Sequence, residues 1–195
     1  MRVQRIVILC LLACACNVVA GQTSVRSQVG AALDSWSSRD SARDAISKIS
    51  HNPLSVLIAI SKSKHEPEVR RAHAIALLAT FKEAPSEHAL DKLADDSNPK
   101  YRCLALHSLA EQKSHSALPV LIRKLDDQAV CMKAVSTDPA EEHKVYVSDE
   151  AVRLLEQITG QSFDQEATSG HRATKPWKDW WAKQKGSAKP SASSM

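Results

Sequence analysis

Five glycines and an aromatic content of 4 % in 195 residues are low, and each scarcity excludes something. With so few glycines there is no Gly-rich stretch, which rules out a loop that cradles phosphate through its backbone. No apolar run approaches the about 20 residues that a membrane-crossing helix requires. Acids and bases are interspersed along the chain, 22 against 26, so no basic stripe marks a nucleic-acid-binding face. Cysteine is also sparse after the first residues: Cys10, Cys14 and Cys16 lie near the start, and only Cys103 and Cys131 follow.

The start of the chain reads as an export signal. Arg2 and Arg5 precede the apolar run Ile6 to Ala13, and small residues follow. Two processing routes fit residues 1–20. Val18-Val19-Ala20 before Gly21 is a small-residue cleavage site, whereas Leu11-Leu12-Ala13-Cys14 resembles a bacterial lipobox whose Cys14 would be lipidated. Loss of Arg2 and Arg5, with no acid among residues 1–20, lowers the formal charge from +4 to +2. In an oxidising compartment Cys103 and Cys131 either pair or remain free thiols; spacing alone does not decide it.

The middle of the chain repeats itself. Pro67-Glu68-Val69-Arg70 opens one apolar-periodic stretch, and Pro99-Lys100-Tyr101-Arg102 opens another thirty-two residues later. The register holds at Leu77 and Leu109, Leu90 and Ile122, Lys92 and Lys124, and Asp95 and Asp127. A fixed period of this length means stacked helical hairpins, each too small to bury its own apolar face. Pro67 and Pro99 suit the first turn of a helix, and Asn98 suits an N-cap. A third unit, Val147 to Leu155, is displaced, so residues 128–146 read as a loop inserted between repeats. Gly160 reads as the C-cap of that last helix.

The Pro-x-Val-Arg entry, the stripe of small residues and the closing Leu-x-Asp resemble short-period HEAT repeats. The resemblance implies an all-α fold, a right-handed α-solenoid of antiparallel helical hairpins like the HEAT and armadillo superhelices. It also implies a ladder of acid and arginine between neighbouring repeats, matched here at Asp96, Arg102 and Arg70, although Lys64 stands where the acid before Arg70 belongs. Ile158 to Phe163, followed by Trp177-Lys178-Asp179-Trp180-Trp181, resembles the end of exported bacterial HEAT proteins. The organisation expected is a signal over 1–20, a tether over 21–27, repeats over 28–160, a linker and Trp-rich capping helix over 161–185, and a disordered tail over 186–195.

Candidate sites are few. Trp177, Trp180 and Trp181 fall on one helical face, where they either cap the array or anchor a partner. Asp138, Glu141, Glu142 and His143 sit in the inserted loop, either as a solvated surface or as a specificity element. The iron-binding HEAT enzymes of the deoxyhypusine hydroxylase family use His-Glu pairs on their helices. Here Ala74 follows His73, its counterpart in the next repeat is Ala105, and His65-Glu66 lies in a turn. Neither a catalytic set nor a metal or cofactor site is expected. The reading is a non-enzymatic scaffold that binds an unidentified protein, exported to the bacterial envelope, periplasmic or lipid-anchored, with no nucleic-acid partner and no membrane contact beyond a lipid on Cys14. A metal-dependent or lyase-type HEAT enzyme and a purely structural lipoprotein are the alternatives.

Overall fold

A computed structural model describes residues 25–114, 116–134, 143–163 and 172–187. The fold is the helical-repeat architecture that the period predicts. The chain divides after Leu78 into two compact units.

The first unit holds a helix over 25–34 (α1), then α2 (Arg39–Ile49), α3 (Pro53–Lys62) and α4 (Glu68–Leu78). Local chemistry sets these boundaries. Ser41 N–H donates to Ser38 Oγ at the start of α2, and Ser55 N–H donates to Asn52 Oδ1 ahead of Pro53 in α3. Leu33, Ile46, Leu57, Ile60, Ile75 and Leu77 are fully buried between these helices.

The second unit contains α5 (Ala84–Leu93), α6 (Pro99–Gln112), α7 (Ala117–Arg123) with a 3-10 turn at Lys124–Asp126, α8 (Val147–Thr159) and α9 (Lys175–Ser187). Asn98 caps α6, accepting from Lys100 N–H at 3.0 Å, and Gly160 ends α8 with φ of 67°, a left-handed conformation. α6 packs against α5, α7 and α8, and α9 lies against α7. Buried Gln112 joins the end of α6 to the start of α5, with Nε2 donating to the Phe81 carbonyl at 2.7 Å and to Ser86 Oγ at 3.0 Å. Gln112→Leu strands that carbonyl in an apolar site, and a loss of about 1–3 kcal/mol in urea unfolding is expected.

Residues 128–146 are not simply a loop. Val130–Ala134 (β1) and His143–Tyr146 (β2) pair antiparallel, Val130 with Tyr146 and Met132 with Val145. Val130, Val145 and Tyr146 are the strand-favouring residues of the pair, which otherwise carries little intrinsic preference for a pleated surface. The register slips between Val130 and Met132, so Cys131 is an extra residue, a β-bulge. The ribbon's base is tied to α8: Val147 N–H donates to the Ala129 carbonyl and Ser148 N–H to the Asp127 carbonyl. These bonds satisfy donors that the first turn of a helix leaves open.

Candidate functional site

The bulge decides the cysteine question. Cys131 leaves the ladder on β1, reaches Cys103 on α6, and forms a disulfide with Cα atoms 6.3 Å apart. Both residues are buried. Partial exposure of Cys103 is the expectation from its repeat equivalents Arg71 and Asp149, but Arg71 is itself buried, with Nε donating to the Ser61 carbonyl at 2.6 Å. The ribbon is therefore fixed at its base by α8 and along β1 by a covalent link to α6.

Charged side chains run along one side of the second unit. Arg123 on α7 reaches Asp91 on α5 at 2.9 Å and Asp95, just past α5, at 3.0 Å, and Lys124 reaches Asp95 at 2.6 Å. Burial works to raise the Asp95 carboxyl, but the Lys124 hydrogen bond and the charges of Lys124 and Arg123 outweigh it and hold it below the ordinary range. Asp126, just past α7, pairs with Lys178 on α9. These pairs join elements that are not consecutive in the chain, α5 and the turn after it to α7, and the turn after α7 to α9.

The predicted ladder residues are engaged differently from the family pattern. Arg102 donates from Nη1 to the Asp96 carbonyl at 2.8 Å, while its Nη2 lies 3.0 Å from Oδ1 of Asp127 and its Nε 2.8 Å from Oδ2. The Asp96 carboxylate accepts from Asn98 N–H at 2.8 Å, shaping the turn before α6. Asp127, at the close of the same repeat that Pro99 opens, supplies the carboxylate that Arg102 grips. In the first unit Arg70 forks onto Asp34 at 2.5 Å and Glu66 at 2.9 Å, and Arg26 shares Glu66 at 2.8 Å. Glu66 takes the role that Lys64 cannot fill. The guanidinium crosses over Gly30, where an added Cβ would lie 3.0 Å from its Cζ.

A second cluster carries no signal in the sequence. Glu150 on α8 is buried and bonded to His107 on α6 and to Arg153, whose Nη2 lies 2.6 Å away. Burial alone would raise the Glu150 carboxyl, yet hydrogen bonds from His107 and Arg153 prevail and hold it at about 2. The folded value lies below the ordinary 4.5, so the stabilisation is fully present above about pH 5 and is lost as pH falls toward 2. Acid unfolding should show this as a loss on the order of 2–3 kcal/mol that Glu150→Gln largely removes. His73 in the first unit is a packed inter-helix residue, stacked on Trp36 at 4.4 Å with Nδ1 at 2.8 Å from the Leu33 carbonyl.

Of the three tryptophans, Trp177 is wholly buried, edge-on to Phe163 at 4.8 Å and to Trp180 at 5.6 Å. Wholly buried, Trp177 offers no surface to a partner. Trp180 and Trp181 are half-buried. Asp138, Glu141 and Glu142 lie outside the described residues; His143 opens β2, paired in register with Ala134. Cys14 and the signal also lie outside them. Among the described residues no group of three or more His, Cys, Asp or Glu side chains is placed to hold a metal ion.

Residues 54–136 match the family model for HEAT repeats. The chain carries HEAT repeats. No curated protein and no solved structure matches it. The HEAT match covers α3 to β1 and so includes both cysteines of the disulfide. HEAT repeats stack to expose extended surfaces, and the function class they support is a protein-interaction repeat scaffold.

Proposed function

We propose that this HEAT-repeat chain is an exported, non-enzymatic scaffold of the bacterial envelope that presents the inserted segment of residues 128–146, which carries β1 and β2, to a protein partner. The observation that carries the reading is the bulged Cys131 joined to Cys103, which holds a short ribbon rigidly against a helical repeat. Loops and ribbons positioned by a rigid scaffold are where binding residues concentrate. Met132 on β1 is 54 % exposed, and an exposed methionine is an adaptable contact. Disulfides persist in oxidising compartments, and the apolar run at Ile6 to Ala13 supplies a route there, with processing at Cys14 or after Ala20.

Crosslinking the protein in its own envelope, followed by capture and mass spectrometry, tests the reading. One stoichiometric protein partner is expected, lost when residues 135–142 are exchanged for a short Gly/Ser turn that leaves Cys131 in place. Capture unchanged by the exchange would refute the ribbon's role. A retained metal ion or small molecule in place of a protein would favour the enzyme alternative.

A further inference from the structure

The capping helix α9 has a second face that capping does not use. Trp177 alone is wholly buried, whereas the neighbouring Trp180 and Trp181 remain half-buried at the surface. Helix α9 carries four lysines against one aspartate. Lys175 is paired with Asp179 at 2.6 Å and Lys178 with Asp126, both on the first turns. The later turns carry Lys183 and Lys185, both exposed, with Lys185 Nζ 5.4 Å from the Trp181 ring. No acid follows Asp179 in the sequence, while Lys189 adds a further cation.

From this juxtaposition we propose that the outer face of α9, formed by Trp180, Trp181, Lys183 and Lys185, is a peripheral contact for an anionic lipid surface. Two features favour lipid over a protein face. The cations are all lysines, and lysine is depleted at protein interfaces while arginine is enriched there. Flexible, compact ammonium groups instead suit a field of lipid phosphates, and amphipathic tryptophan rings settle at headgroup depth. The charge is complementary, and it lies beside the aromatic rings rather than away from them. The contact is independent of the ribbon and of any lipid on Cys14.

Sedimentation of the full chain with phosphatidylcholine vesicles, with and without phosphatidylglycerol, tests it. The signal residues, Arg2 and Arg5 included, are common to every variant, so the difference between variants on anionic vesicles isolates the contribution of α9. The excess binding to anionic over neutral vesicles should fall as salt is raised, and Lys183→Glu with Lys185→Glu should lower it at least about tenfold, since each lysine near an anionic surface is worth roughly a factor of five. Melting of this variant should shift by roughly a degree or two at most, because both positions are exposed and only surface contacts such as that of Lys185 with Trp181 are lost. Trp180→Ala with Trp181→Ala should weaken binding to the same vesicles. Equal binding to the two vesicle types, or binding unaffected by the lysine reversals, overturns the proposal. So does self-association without vesicle binding that the tryptophan variant abolishes, which would make a second copy the occupant.

Discussion

Trp177→Ala is expected to destabilise the second unit by about 3–5 kcal/mol, the range for deleting a fully buried tryptophan. Nothing small can fill the space between Phe163 and Trp180, which meet the indole edge-on at interplanar angles of 86° and 80°. Such aromatic pairs add to simple burial, and their loss adds to the cavity's cost. Since α9 rests on α7, the helix should loosen as well as the core beneath it. Urea unfolding followed by circular dichroism reads the effect without depending on the deleted fluorophore. A loss under about 1 kcal/mol would mean that α9 does not close the array.

Opening the Cys103–Cys131 disulfide has the next largest effect. The bridge spans a sequence separation of 28, and restoring that loop's freedom to the unfolded chain costs about 3–4 kcal/mol of stability. Thermal unfolding of Cys103→Ala with Cys131→Ala, beside the oxidised parent, measures it. The ribbon should respond more than the helices, because β1 loses its link to α6 while the bonds from Val147 and Ser148 still tie its base. Faster amide exchange over 130–134 and 143–146, with α5 and α6 unchanged, is the expected pattern. Uniform exchange throughout the second unit would show instead that the bridge stabilises the whole repeat array.

The features that local chemistry sets were legible in the sequence. Asn98 before Pro99, the left-handed Gly160 and the thirty-two-residue echo each depend on neighbours within a turn or on a fixed period. What depended on placement in three dimensions was not. The ribbon strands are short, and only the bulge at Cys131 aims that side chain at Cys103. The ladder partner of Arg102 is Asp127 rather than Asp96, because Asp96 is used in the turn before α6. Likewise the mutual pairing of Asp91, Asp95, Arg123 and Lys124 has no signature in their spacing and follows only from where the fold brings α5 and α7. Glu150, His107 and Arg153 come together only because α8 packs against α6.

We propose above all that the HEAT repeats, clamped by an internal disulfide, are exported. The most direct measurement is the intact mass of the protein isolated from its own cells under thiol-blocking, non-reducing conditions. The account predicts a chain that begins at lipidated Cys14 or at Gly21, with neither Cys103 nor Cys131 carrying the blocking group. A chain that retains residues 1–20 and is blocked at both cysteines would contradict it.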